Sequence, residues 1–449
     1  MSGEKRARLR QMLESGEIRL QPLSYPQREL WETTPVPAGD PANHICSVIH
    51  VRGSLPVELC RASIQRVVER QDALRVTFLP GKEKTLQMVR STGEANFKYR
   101  ELPPEKRSDE AIEEIVQEII LEPFDLMHGP LYRVEMVRRS ADELLLVFAI
   151  HHSIADGWTL GVFVQDLCSA YVQELMGVSE PMPPVPMTYG AWDAAERAYW
   201  QPSEIERCAS YWKPLMEGAP RLWSPPQPVG PSKGPLKRWV THIPAELTSA
   251  VREIVKRTHA TLFSTLLTVF QITLHKWTKV NDVVVGTPFA NRARPAVRET
   301  MGYVAGVVPL RGQVDGSQRF LDALRAVHES TMDSFANFMP FAELALVLKD
   351  APAPGHNPIF DVRFALQNHP VPDVALPGMS VKLRMRSTGT ARFDLGCEVT
   401  EENETLELVW LSRASLFSHD DIERLNILYQ NVLAEACSSP EDRIANFKS

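Results

Sequence analysis

Apolar and polar positions along this chain fall into blocks of two different periods. After Ser54-Leu55-Pro56, the residues Cys60, Ile64, Val67 and Val68 recur on one helical face, with Ser54 as the expected N-cap. Residues 132–136 alternate with period two: Tyr132, Val134 and Met136 share one face, Arg133 and Glu135 the other, as in a half-buried strand. Residues 144–150 (LLLVFAI) form a continuous apolar run, the pattern of a strand buried on both faces. Leu160, Phe163, Val164, Leu167, Tyr171 and Leu175 then mark a second amphipathic helix. The second half repeats the style, with an apolar helix over 262–277 and a short strand over 282–286 (DVVVG). Helix and strand alternate in both halves, so an α/β protein of two similarly built lobes is predicted.

Proline punctuates the pattern. The clusters are 180–186 (EPMPPVP), 224–235 (SPPQPVGPSKGP), 350–358 (DAPAPGHNP) and 369–378 (HPVPDVALPG). A fixed φ and a missing donor make each a connector or turn. The first is the expected lobe boundary, giving an N-terminal extension (1–20), an N-terminal lobe (21–180) and a C-terminal lobe (181–449).

Length and composition narrow the class. At 449 residues the chain exceeds one ordinary core, and 44% apolar with 23% charged residues is a soluble globular balance. A net charge of −7 speaks against a nucleic-acid surface. The cysteines (Cys46, Cys60, Cys168, Cys208, Cys397 and Cys437) show no CxxC spacing, so they read as reduced thiols rather than disulfides or metal ligands. No run approaches a membrane span, and MSGEKRARLR lacks an apolar signal core. A cytoplasmic monomer with neither membrane nor nucleic-acid partner is expected. The basic stretch Lys5-Arg6-Ala7-Arg8-Leu9-Arg10 reads as a solvated helix face, or as a surface for an acidic partner.

Candidate chemistry concentrates in His151-His152-Ser153-Ile154-Ala155-Asp156-Gly157-Trp158, between the buried strand and the second helix. Loops at strand carboxyl ends are where α/β proteins place reactive groups. Histidine titrates near neutrality and can accept a proton from a nucleophile. Side chains alternate along an extended chain, so one histidine faces a cleft while its neighbour packs. Structural readings stand beside this one: Asp156 as a simple N-cap, and the histidines as a satisfied pair. A metal site is disfavoured, since adjacent histidines rarely chelate one ion and no third ligand lies nearby.

HHSIADGW resembles the HHxxxDG signature of the condensation domains of nonribosomal peptide synthetases, within the chloramphenicol-acetyltransferase-like fold. Further segments match in order: LSYPQRELW (23–31), RQDALRVTF (70–78), YGAW (189–192), GTPFANR (286–292), GYVAGVVPLR (302–311), NFMPF (337–341), NPIFDVRF (357–364) and ARFDL (391–395). The resemblance implies two chloramphenicol-acetyltransferase-like lobes in a V with a central tunnel. It implies His152 as the catalytic residue, His151 as its packed neighbour, and a structural pair between Asp156 and Arg292. The Gly157 N–H is then a candidate oxyanion donor. Trp158, Gly306 and Val307 are expected along the tunnel.

Two departures bear on the acceptor. Val304-Ala305-Gly306-Val307 stands for the family's Phe-Val-Asn-Thr, and Asn337-Phe338 for its His-Gln. Gly306 and Val307 carry no side-chain hydrogen bonds, so that wall is expected to be roomier and less polar. The histidine pair is intact, unlike in cyclisation relatives. The chain opens on Met and shows no carrier or adenylation motif, so a free-standing enzyme is expected. It would take its acyl group from an acyl or peptidyl carrier protein and pass it to a small-molecule or carrier-bound amine or alcohol, as in a chain-release step. No bound cofactor or metal is implied, the phosphopantetheine arm belonging to the carrier. A silent recruitment module of the same fold, and an acyltransferase using a coenzyme A thioester, are the alternatives.

Overall fold

The computed structural model describes residues 3–35, 39–81, 84–223, 236–348, 357–367, 377–386, 393–402 and 404–448. The proline cluster 224–235, all but the last two residues of the clusters 350–358 and 369–378, and the first two residues of ARFDL lie outside them.

In chain order the strands are β1 (Ile18–Pro22), β2 (His44–Arg52), β3 (Val76–Pro80), β4 (Thr85–Arg90), β5 (Phe97–Glu101), β6 (Tyr132–Arg138), β7 (Glu143–His151), β8 (Leu236–Ile243), β9 (Asp282–Phe289), β10 (Gly306–Gln313), β11 (Val362–Gln367), β12 (Ser380–Arg386), β13 (Leu395–Glu402) and β14 (Thr405–Arg413). They form a small sheet β1-β4-β3, a sheet β12-β2-β7-β6-β5 and a sheet β10-β9-β11-β13-β14-β8. The apolar run at 144–150 becomes the centre of the second sheet, with β2 and β6 antiparallel on either side. Its edge strand β12 arrives from late in the chain and pairs Arg386 with Cys46 and Ser380 with Arg52. The two halves are therefore stitched through the backbone.

Helices Val57–Arg70 and Gly157–Leu175 pack against each other over the first core. The helix Leu262–Thr278, whose residues from Ser264 to Leu274 are all buried, fills the second core. Core membership changes hands along the helix Tyr189–Tyr199: Tyr189 and Trp192 pack into the first core, while Trp200 just beyond belongs to the second. Val297, Met301 and Val304, far along the chain, also pack into the first core. The connector 180–186 is pinned to the first half by Arg70, which donates to the Pro183 carbonyl at 2.9 Å.

Several local expectations are corrected. The first helix begins at Val57 with Pro56 as its cap residue and no side-chain cap, so Ser54 does not cap it. Proline disfavours helical geometry at the residue before it, which holds Leu55 out of the helix. β6 is buried on both faces, not one. Arg133 donates to the carbonyls of Ile119 and Pro123 at 2.9 and 3.1 Å, and Arg100 donates to Glu135 at 2.7 Å. Arg133 is thus spent on a covering helix, Asp109–Leu121, and the residues just after it, and Glu135 on Arg100 of the neighbouring strand β5. Leu175 is exposed, because its helix outruns the core. The strand expected over 282–286 continues to Phe289 through Pro288. There β11 no longer pairs with it, and only β10 continues alongside, with Val307 opposite Pro288.

β9 leads to the site, and Gly286 lies at its centre under the Phe360 ring. A Cβ there would stand 2.2 Å from the ring. Gly286→Ala is expected to lower unfolding free energy by about 1–3 kcal/mol through overpacking. The urea midpoint measures it, and an unchanged midpoint would place Phe360 elsewhere.

Candidate active site

The site grows from the end of β7. His151 is its last residue and is buried. Its Nδ1 lies 2.7 Å from the Ser153 hydroxyl and accepts from the Ser153 N–H at 3.2 Å, while its ring lies 6.1 Å from those of His44 and Phe124. His152 begins a short 3-10 turn, His152–Ile154, and is half-buried, its ring against that of Tyr303 with centroids 4.3 Å apart. The alternation expected of adjacent residues therefore separates the two imidazoles. Gln27 holds the turn by donating to the Ser153 carbonyl at 3.0 Å.

Asp156 caps the helix Gly157–Leu175, accepting from the Thr159 N–H at 3.0 Å. The cap is only part of its work. Its carboxylate also accepts from Arg292 at 3.0 and 3.1 Å, from the N–H groups of Val304 and Ala305 at 3.1 and 3.0 Å, and from the Thr159 hydroxyl at 3.0 Å. The Asp156 and Arg292 side chains are 2% and 1% exposed. Nη1 of Arg292 donates to the Val297 and Thr300 carbonyls at 2.7 and 2.8 Å. Burial pushes the Asp156 carboxyl up, but the Arg292 charge and these hydrogen bonds outweigh it and hold the group below its ordinary value. Asn291, at φ 52°, turns the chain just before Arg292, a left-handed conformation that asparagine tolerates.

Gly157 is half-buried as the first helical residue, and Trp158 donates from its indole to the Arg298 carbonyl at 2.9 Å. Trp158 lines a cavity of about 410 Å³ with Phe289, Asn291, Arg292 and Arg298. The lining of that cavity does not include Gly306 or Val307. The extra room expected over Gly306 is absent, because the Phe338 ring lies where a Cβ would stand, 2.6 Å from that position. Volume that a glycine vacates in a packed interior is filled by a neighbour.

The segment 297–305 is clasped by residues to which the sequence pattern assigns no role. Gln71 accepts from the Met301 N–H at 3.0 Å and donates to the Glu299 carbonyl at 2.9 Å. The Thr159 hydroxyl accepts from the Gly302 N–H at 3.3 Å, and Tyr189 donates to the Tyr303 carbonyl at 3.2 Å. Tyr303 itself donates to Glu29 at 3.1 Å. The only sequence signal for these contacts was that the residues lie in or beside the ordered motifs at 23–31, 70–78, 151–158 and 189–192.

Removing one partner of the buried pair leaves the other unpaired. Asp156→Ala or Arg292→Ala should each cost about 3–5 kcal/mol, and the double variant less than their sum. Strict additivity in denaturant unfolding would show that the contact is absent. Because the folded Asp156 carboxyl is depressed, its contribution is complete above the unfolded value and is lost as pH falls through the folded one. Below about pH 4, stability of Asp156→Asn should therefore fall less steeply than that of the natural sequence.

Comparison with known proteins places this arrangement. Residues 17–449 match the condensation domain family. The chain is 29% identical over 430 residues to phosphinothricin tripeptide synthetase PhsC of Streptomyces viridochromogenes, covering 92% of this chain and 39% of that protein. It is 26% identical over 422 residues to bacitracin synthase 3 of Bacillus licheniformis, covering 93% of this chain and 6% of that one. The chain thus spans well under half the length of these relatives. Among solved structures, the X-domain from teicoplanin biosynthesis superposes with a TM-score of 0.85 at 20% identity, covering 95% of this chain and 97% of that one. The SgcC5 protein of Streptomyces globisporus superposes at 0.78 and 19% identity, covering 94% and 100%. Among the described residues no helix is long and apolar enough to cross a membrane. The mixed α/β fold is that of condensation domains, and the chain belongs to the condensation domain family.

Proposed function

We propose that this chain transfers an acyl group from a carrier-protein phosphopantetheinyl thioester to an amine or hydroxyl acceptor, forming an amide or ester. The observation that supports it is the placement of His152, at the end of a buried strand, on a turn held by contacts from distant parts of the chain. With its Nδ1 buried, Nε2 is the nitrogen assigned to the acceptor's proton. The acceptor's lone pair attacks the thioester carbonyl carbon, and its proton passes to Nε2. The tetrahedral intermediate collapses, expelling the carrier thiolate, which takes the proton back from the imidazolium. A base is needed most by a hydroxyl acceptor; a neutral amine attacks without one, and His152 then chiefly orients it.

The Gly157 N–H at the start of its helix is the proposed donor to the developing oxyanion. Arg292 neutralises the neighbouring Asp156 carboxylate, which would otherwise oppose negative charge there. His151 and the Asp156–Arg292 pair hold this loop, and Trp158 and its cavity belong to the substrate passage. The family match occupies 17–449, so the carrier lies outside those residues. The teicoplanin X-domain has been solved in complex with OxyB; a silent module of this fold that binds another protein is the rival reading. The intact His152 favours catalysis, and turnover decides between them.

His152→Ala should lower turnover by about two orders of magnitude or more with the fold unchanged, as loss of a positioned base predicts. Mass spectrometry of product from a loaded carrier, with circular dichroism as the control, measures this. Near-full turnover with a hydroxyl acceptor would remove His152 from the base role. Product should also form faster from a carrier thioester than from a coenzyme A or other small thioester of the same acyl group, since carrier contacts add effective concentration. Equal efficiency would favour the coenzyme A reading.

A further inference from the structure

We propose that Tyr303, anchored by Glu29, is a residue that positions the His152 imidazole. This rests on the reading of His152 given above. The Tyr303 and His152 ring planes are inclined at 60° with centroids 4.3 Å apart, so the rings are in contact. An imidazole on a short turn has two side-chain torsions to settle, and a bulky wall against its ring removes most of that freedom.

The wall is itself immobilised at every point where it could slip. Its hydroxyl donates to the buried Glu29 carboxylate at 3.1 Å. Its carbonyl accepts from Tyr189, whose hydroxyl also lies 2.7 Å from that of Ser24. The next N–H, of Val304, donates to Asp156 at 3.1 Å. On the other side, the Tyr189 ring fills the space that a side chain on Gly302 would need, where φ is 152°. The segment that supplies Glu29 also supplies Gln27, which holds the Ser153 carbonyl. One short stretch, Ser24 to Glu29, therefore fixes both the backbone that carries His152 and the ring that faces it. Plain core packing would explain a buried aromatic; it does not call for a carboxylate buried at the hydroxyl and a second tyrosine at the carbonyl. Tyr303 touches the histidine rather than the reacting atoms, so it is a positioning residue.

The test follows the His152 ring resonances by NMR in the labelled full chain, identified among 12 histidines by their loss in His152→Ala. Tyr303→Leu should shift them. Tyr303→Phe and Glu29→Leu, which remove the same hydrogen bond from opposite ends, should give smaller shifts that match each other, and the double variant no further shift. In parallel, Tyr303→Leu should lower kcat by up to about 10²-fold with little change in KM for the loaded carrier, the signature of a misaligned group. Unmoved resonances in Tyr303→Leu would overturn the proposal, as would moved resonances with an unchanged kcat. If Tyr303→Leu does not fold, unmoved resonances in both Tyr303→Phe and Glu29→Leu overturn it instead. Natural-sequence protein that forms no product from any loaded carrier would sink the catalytic reading and, with it, the positioning role; unmoved resonances in an active protein sink the positioning role alone.

Discussion

One buried carboxylate organises this molecule. Asp156 lies out of water, and an isolated charge there would cost several kcal/mol. Its five kinds of donor come from three separate places: its own helix, the loop after β9, and the backbone of Val304 and Ala305. A charge that must be compensated in this way fixes where those segments lie relative to one another. A loose arrangement would leave Asp156 or Arg292 unsatisfied, so the seam between the halves has one good solution. Such a pair is weak as a source of stability and strong as a source of registry.

The same logic extends outward along the seam. Gln71 bonds to Met301 and Glu299 on one side and to Asp166 on the other. Arg70 joins Asp166 to Glu299, and Arg28 pairs with Glu343 on the short helix Phe341–Leu348. Apolar side chains from 297–304 enter the first core between these polar contacts. Apolar burial provides the adhesion, and the hydrogen bonds select the alignment, because a slip of one residue would break several at once.

The consequence for chemistry is a rigid support. His152 sits on a turn whose backbone is held by Gln27 and whose ring meets Tyr303, while the adjacent negative charge is already neutralised by Arg292. Preorganised groups of this kind need little rearrangement when charge moves. The cavity beside Trp158 opens on the Arg292 side of the same loop.

Much of this was legible in the amino-acid order. The apolar run at 144–150, the helix after Gly157 and the helix over 262–278 are local patterns, and periodicity reads local patterns. The octet at 151–158 announced a site because it joins a buried strand to a helix, and ordered motifs named the fold. What stayed hidden was long-range. Arg133 and Glu135 looked like a solvent face, and only tertiary packing brought carbonyls and Arg100 to them. Gly306 looked like open space until Phe338 filled it. Tyr303, Glu29 and Tyr189 carry no periodic signal, since their roles arise from contacts between residues 114 to 274 positions apart. Sequence alone thus determined which elements form and which loop carries the chemistry, for those follow from neighbours along the chain. Tertiary structure alone decided how His152 is aimed, because that depends on groups which only the folded chain brings within a few ångströms of one another.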